Sequence, residues 1–251
     1  MCRHLAHLGP ARPLGDLLLA PPYSLHRQSW APRRQEHGTV NADGFGVGWY
    51  ADGDPVPARY RRAGPIWADA FFPDLCRVVR SSALLAAVRD ATTGCAAGES
   101  AAAPYTEGPW LFSHNGALTG WPGSVARIAA ALPPQELLGL EARCDSALAW
   151  ALVLHLLRAG NGPGPALAEA AAQLAVSAPG SRLNFLLTDG RTLAATAYGD
   201  TLWYLLEPGR SLTVASEPHD TDPGWRPVPD AHLLTGDPGG IELTALKESH
   251  A

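Results

Sequence analysis

Asn41-Ala42-Asp43-Gly44-Phe45-Gly46-Val47-Gly48-Trp49-Tyr50 is the stretch on which the fold turns. Phe45–Ala51 reads as a strand, and Gly44, Gly46 and Gly48 leave room for another backbone to approach it closely. Pro57–Arg62 follows as its hairpin partner. Upstream, Arg3–Gly9 is a short His- and Leu-rich strand that ends at Gly9-Pro10. Between the two, residues 10–43 are rich in Pro, Arg, Gln and Ser and offer only a helical turn at Leu14–Ala20. Downstream, Asp74–Arg80 reads as a short helix. Ala83–Arg89 and Trp110–His114 read as strands around an Ala/Gly-rich loop at 94–103. Three helices follow. Ser124–Leu132 has Ser124 as N-cap and apolar positions 125, 128, 129 and 132 on one face. Asp145–Ala159 is capped by Asp145 or Ser146 and ends at Gly160, and Ala166–Val176 is alanine-rich. From Asn184 the chain turns strand-like again: Phe185–Thr188, Thr192–Tyr198, Leu202–Leu206, Leu212–Ala215 and Ile241–Ala245. Strands, then helices, then strands predict an α+β fold, two sheets with helices on their outer faces, in a single domain over residues 1–251.

Composition narrows the function classes. Nineteen Lys+Arg against twenty-four Asp+Glu give a net charge of −5, and no like-charge block exceeds Arg33-Arg34 or Arg61-Arg62. A nucleic-acid partner or an anionic membrane surface calls for a basic stripe, so neither is expected. Leu17–Ala20 is a short apolar run ringed by Pro10, Pro13, Pro21 and Pro22 with no basic segment before it, which does not read as a signal peptide. The cysteines at 2, 76, 95 and 144 form no CxxC pair and no zinc spacing. Nine histidines include no HExxH; His4 and His7 lie three apart on a strand and point to opposite faces. The expectation is a cytoplasmic, reduced protein with no metal and no cofactor.

Cys2 stands beside the initiator methionine. Removal of Met1, which a small following side chain favours, would make it the N-terminal residue, with a free α-amine a few bonds from the thiol. An α-amine with an ordinary pKa of about 7.7–8.0 is partly unprotonated near neutral pH and can serve as base. One residue then supplies nucleophile and base, and a thiol near 8.5 needs only modest activation.

The motifs Met1-Cys2-Arg3, Asn41–Tyr50, Val88-Arg89-Asp90-Ala91-Thr92, Ser113-His114-Asn115-Gly116 and Cys144-Asp145-Ser146 occur in that order over the first ~150 residues. Together they resemble the class II glutamine amidotransferases, which are N-terminal nucleophile hydrolases; Val214-Ala215-Ser216-Glu217-Pro218 is similar to their closing strand. The resemblance implies a four-layer αββα sandwich of two mainly antiparallel sheets. It implies Cys2 as nucleophile, with the Asn115 side-chain amide and the Gly116 N–H as oxyanion donors, aimed by a turn after the strand Trp110–His114. It also implies a γ-glutamyl substrate whose α-carboxylate is gripped by Arg89 and whose α-ammonium is received by Asp145. Thr92 adds a hydroxyl contact, and His114, which orders the site, is counted with Arg89, Thr92 and Asp145 among the substrate-binding residues. Asp90 stands where many members have histidine, which puts that flank of the site in doubt. The segment after the matched motifs looks like the rest of the same fold, so a stand-alone hydrolase of a small γ-glutamyl amide, without an obligatory protein partner, is the favoured reading. For a cationic leaving group, Trp30, Trp67, Trp121 and Tyr105 are candidate aromatic faces. Three alternatives use the same residues: a glutaminase feeding ammonia to a separate synthase, a general γ-glutamyl hydrolase with a different leaving amine, and a glutamyl-binding module without catalysis, for which a retained Met1 would be the mark.

Overall fold

The computed structural model describes residues 2–247. Thirteen strands occur in the order β1 Arg3–Pro13, β2 Gly44–Trp49, β3 Ala58–Arg62, β4 Arg80–Arg89, β5 Tyr105–Glu107, β6 Trp110–Ala117, β7 Arg182–Thr188, β8 Leu193–Ala197, β9 Trp203–Glu207, β10 Ser211–Ala215, β11 Arg226–Pro227, β12 His232–Asp237 and β13 Gly240–Ala245. Seven α-helices are interspersed: α1 Gly15–Leu18, α2 Leu25–Gln28, α3 Phe72–Val78, α4 Ala126–Ala131, α5 Pro134–Leu138, α6 Asp145–Arg158 and α7 Pro163–Ser177. The strands form a seven-stranded sheet in the order β11-β9-β10-β1-β4-β2-β3 and a six-stranded sheet in the order β13-β12-β8-β7-β6-β5. Adjacent strands in both sheets pair antiparallel.

Three apolar layers hold the sheets and helices together. Ala6, Leu8, Leu85, Leu111, Leu186, Val214 and their neighbours fill the space between the sheets. Leu5, Phe45, Val47, Phe72 and Val88 pack the outer face of the larger sheet against α1 and α3. Phe112, Phe185 and Leu187 pack the outer face of the smaller sheet against α6 and α7 through Leu148, Leu152, Leu167 and Leu174. The layering is therefore αββα, as the period-2 alternation along β1 requires: Leu5 faces the helices, while Ala6 and Leu8 face the other sheet. Burying each such leucine contributes roughly 1.5–3 kcal/mol.

Gly46 shows why the 41–50 stretch is glycine-rich, since a Cβ there would run into the carbonyl oxygen of Ala103. The helix starts differ from expectation. Ser124 sits inside a short 3-10 turn, Gly123–Val125, and caps nothing; α4 begins only at Ala126, after Val125. Cys144, not Asp145 or Ser146, is the N-cap of α6. The elements α2, α5, β5, β11 and β12 carry too little periodic signal in their few residues to be read from sequence.

Buried histidines make the fold acid-sensitive. His7 is pushed down to about 3, chiefly by burial and then by the positive charge of Arg12 and by His219. His4, His114 and His219 are lowered as well, burial again being the main cause. In the unfolded chain these rings protonate near 6.5. Below that pH the unfolded state takes up protons that the folded state refuses, so stability is full above about 6.5 and declines as the pH falls toward 3. Thermal unfolding should show a flat midpoint down to about pH 7 and a steady fall below about 6.5, less steep in His7→Gln. A midpoint that rises on acidification contradicts this assignment.

Candidate active site

Cys2 enters β1 at the centre of the larger sheet, on the face turned to the smaller one. The register Arg3↔Val88 brings it opposite Arg89 at the end of β4. Across the sandwich, β6 alternates Phe112 outward with Leu111 inward, so Ser113 and Asn115 face β1. Two cross-sheet contacts result. The Nδ1 of His4 lies 3.1 Å from Ser113 Oγ, and the backbone nitrogen of Cys2 donates to Asn115 Oδ1 at 3.2 Å.

Asn115 is fully buried, and its amide is used at both ends. Its Nδ2 donates to Ser216 Oγ at 3.3 Å, which leaves a second N–H on the same nitrogen. Ser216 follows β10, and its Oγ also accepts from His4 N at 3.0 Å. The backbone of Ser216 donates to His4 O at 3.0 Å. The sequence expectation of a turn carrying Asn115 and Gly116 is wrong. Both lie within β6, paired with Asn184 and Leu183 of β7. Asn-Gly is here a strand dipeptide because β7 crosses so closely that a Cβ at 116 would collide with Arg182 O and His114 Nε2.

Burial pushes the Cys2 thiol up, and Arg89 opposes that by pulling it down. Arg89 is buried; its guanidinium donates to Ala96 O at 3.0 Å and to Asp43 O at 3.4 Å. Asp145, also buried, acts on the same thiol by raising it. Its Oδ2 accepts from Leu118 N at 3.2 Å and its Oδ1 from Ser146 N at 2.8 Å. A cation and an anion thus flank the sulfur from β4 and from the start of α6, the pair of charges an α-amino acid zwitterion would meet. Thr92 lies half-buried in the loop after β4, where its carbonyl accepts from Cys95 N at 3.0 Å.

His114 departs from the expected substrate contact. Its ring points away from β1, with Nε2 at 2.9 Å from Arg182 O and Nδ1 at 3.1 Å from Ser146 Oγ. A carbonyl only accepts, so Nε2 carries the proton. Both nitrogens are engaged by protein, and His114 braces β6 against β7 and α6. Position 90 meets the Cys2 sulfur through its backbone carbonyl, which accepts at 3.9 Å, a contact that does not depend on the side chain there. The aromatic expectations fare unevenly. Tyr105 is fully buried with its hydroxyl on Ala101 O and presents no face to a ligand, and the partly buried Trp121 packs against the helical layer. Trp30 and Trp67 form an exposed edge-to-face pair at 5.6 Å, with the Arg27 guanidinium already 5.4 Å from the Trp30 ring.

Sequence reading missed the support behind Cys2. Glu217 is fully buried, and its carboxylate accepts from the backbone nitrogens of Arg33 and Arg34 at 2.8–3.1 Å. That contact ties the irregular 31–40 segment to the strand end beside Cys2. Gln35 Oε1 in turn takes a hydrogen bond from Arg3 Nε at 3.1 Å and one from Asn41 Nδ2 at 3.0 Å. The only available signal was the Ser216-Glu217-Pro218 motif, since an acidic residue that binds backbone N–H groups leaves no partner to find by residue type.

These features define an N-terminal nucleophile amidotransferase-type domain, and the comparison with known families agrees: residues 20–219 match the model for "Glutamine amidotransferases class-II". The chain belongs to that family. Among curated relatives it is similar to the gamma-glutamyl-hercynylcysteine sulfoxide hydrolase of Mycobacterium tuberculosis (strain CDC 1551 / Oshkosh), 42% identical over 98% of this chain and 97% of that one. It is likewise similar to the protein of the same name from Mycolicibacterium smegmatis, 42% identical over 98% of this chain and 100% of that one. Among solved structures, a glutamine aminotransferase class-II domain protein from Silicibacter pomeroyi superposes with a TM-score of 0.69 at 25% identity, covering 98% of this chain and 100% of that one. Glutamine PRPP amidotransferase from B. subtilis shares the fold at a TM-score of 0.63 and 14% identity, over 98% of this chain and 49% of that one. Among the described residues no helix is long and apolar enough to cross a membrane.

Proposed function

We propose that the protein hydrolyses the γ-glutamyl amide of γ-glutamyl-hercynylcysteine S-oxide, a step of ergothioneine biosynthesis, and releases glutamate and hercynylcysteine S-oxide. The observation that carries the proposal is the joining of residue 2 to Asn115 across the sandwich, between Arg89 and Asp145. The near-full-length similarity to the two mycobacterial hydrolases supports the choice of leaving group.

In this reading the single domain spans residues 1–251 and matures by loss of Met1, which lies outside the described residues. The backbone nitrogen of Cys2 then becomes the α-amine. Asn115 Oδ1 can only accept, so it takes one N–H of that amine and leaves the nitrogen lone pair for the thiol proton. The Cys2 sulfur attacks the γ-carbonyl carbon, and the oxyanion is met by the second N–H of Asn115 Nδ2 and by Gly116 N–H. The amine passes its proton to the leaving nitrogen, the C–N bond breaks, and a γ-glutamyl thioester remains. Water, deprotonated by the same amine, attacks the thioester; the C–S bond breaks, glutamate leaves and the thiol is restored. Arg89 holds the α-carboxylate and Asp145 the α-ammonium throughout, with Thr92 beside them, while His114 positions β6.

The leaving group carries a trimethylammonium. A cleft of about 300 Å³ walled by Arg34, Glu36, Gly199, Asp200, Thr201, Val228 and Asp230 suits it better than the buried aromatics. Three of its walls are carboxylates, and Thr201 Oγ1 bonds Ser216 O at 2.8 Å, next to the residue that holds Asn115. Glutamate release from γ-glutamyl-hercynylcysteine S-oxide and from glutamine should be compared on one preparation. The expected kcat/KM favours the sulfoxide substrate by at least about 100-fold, the discrimination a well-filled leaving-group pocket supplies. A preference for glutamine, stimulated by an added synthase, overturns the assignment in favour of an ammonia-supplying subunit.

A further inference from the structure

Cys95 and Cys144 meet beside the proposed glutamyl anchors, and neither takes part in the chemistry above. Cys95 lies in the 90–98 loop and is partly exposed; Cys144 is buried as the N-cap of α6. The two segments pass antiparallel. Ala96 N donates to Arg143 O at 2.8 Å, and the next step along places Asp145 N on Cys95 Sγ at 3.4 Å, so Cys95 stands across from Cys144. The residues on either side of Cys144 are thus both held to the chain at Cys95 and Ala96, the close approach that a disulfide, with Cα atoms roughly 4.4–6.8 Å apart, requires. The neighbouring thiols raise Cys95 and lower Cys144, and Tyr105 Oη lies 3.2 Å from Cys144 Sγ. Both cysteines carry anchor contacts. Cys95 Sγ donates to Asp145 Oδ1 at 3.4 Å, its neighbour Ala96 accepts from Arg89 at 3.0 Å, and Asp145 follows Cys144 in the chain.

We propose that Cys95 and Cys144 form a reversible dithiol–disulfide pair, closed by a hydroperoxide, that distorts the glutamyl-binding pocket and weakens substrate binding. The partly exposed Cys95 attacks the outer peroxide oxygen as its proton passes to Asp145 Oδ1, the acceptor of its S–H; the O–O bond breaks, the alkoxide takes that proton and leaves as alcohol, and Cys95 becomes a sulfenic acid. Cys144 then attacks that sulfur, its proton leaving with the hydroxide as water, and the S–S bond forms. Two thiols are oxidised and one hydroperoxide is reduced. Closure brings the sulfurs to about 2.0 Å and removes the S–H given to Asp145. A shift on the order of 1 Å in a positioning group costs on the order of 100-fold in a well-ordered site.

The functional consequence rests on the glutamyl pocket proposed above, whereas the cross-link is judged on its own. The protein bearing Cys2→Ala, which keeps the proposed nucleophile out of the oxidant's reach, and the unsubstituted protein are treated with tert-butyl hydroperoxide and digested without reductant. A peptide linking residues 95 and 144 is expected from both, lost on addition of dithiothreitol. Calorimetric titration of the Cys2→Ala protein with L-glutamate should show a Kd at least about 10-fold weaker after oxidation and restored by dithiothreitol. With Cys144→Ser or, should that variant not fold, Cys95→Ser added, the oxidant should change nothing. Absence of the linked peptide, or a linked protein with unchanged Kd, overturns the proposal. Failure of glutamate to bind even the reduced protein overturns the pocket instead, while the peptide still decides the cross-link.

Discussion

Cys2→Ala is expected to lower kcat for γ-glutamyl hydrolysis by on the order of 10⁴-fold or more, the scale seen when a covalent nucleophile is deleted, while glutamate binding persists. The substitution removes one sulfur atom from a half-buried position at the head of β1. It leaves the backbone nitrogen on Asn115 Oδ1 and leaves Arg89 and Asp145 in place. The loss should therefore fall on kcat, with Kd for glutamate changed by no more than a few-fold. Mass spectrometry during turnover of the unsubstituted protein should find a glutamyl adduct on residue 2, absent from the variant, and a mature N-terminus at Cys2. A variant that keeps measurable turnover removes Cys2 from the chemistry. A fully active protein that retains Met1 removes the α-amine as base, because a peptide nitrogen has no lone pair to give.

Asn115→Ala is the second large effect, and it separates two functions of one side chain. Losing an oxyanion donor costs on the order of 10²–10³ in kcat. Here the same substitution also frees the nitrogen of residue 2 and leaves Ser216 Oγ with one donor fewer, so the loss should lie at or beyond the upper end of that range. Asn115→Asp keeps an acceptor for the α-amine but puts a carboxylate where the oxyanion develops. It should lose at least as much in kcat while the variant's thermal midpoint stays closer to that of the parent than in Asn115→Ala. Equal stability of the two variants, with kcat reduced less than about 10-fold, would take Asn115 out of the oxyanion site.

The α+β order was legible because strand-like runs and helix-length segments bounded by Gly, Pro and capping residues succeed one another along the chain; burial itself left little alternation, since β1, β4 and β6 are buried on both faces within the sandwich. Short elements such as α2, α5 and β12 leave no such trace. The proposed site residues were legible as a set rather than singly. Cys2, Arg89, Asn115, Gly116 and Asp145 are each of ordinary type, and their order along the chain identified them. Their local settings were misread where the answer depends on a distant segment. Asn115-Gly116 has the chemistry of a tight turn, yet β7 holds it in a strand. Asp145 has the chemistry of an N-cap, yet its carboxylate is drawn to Leu118 N, 27 residues away.

The sequence by itself determined the order of strands and helices and the family, and it singled out Cys2 as the candidate nucleophile, since turn signals and motif order are read along the chain. Only the tertiary structure decided that His114 braces instead of binding, that Glu217 fastens the 31–40 segment, and that Cys95 faces Cys144. Each of those facts is a pairing of hydrogen-bond partners separated by tens to nearly two hundred positions. Such pairings depend on which strand ends the folded sheets bring together, and residue type alone does not encode them.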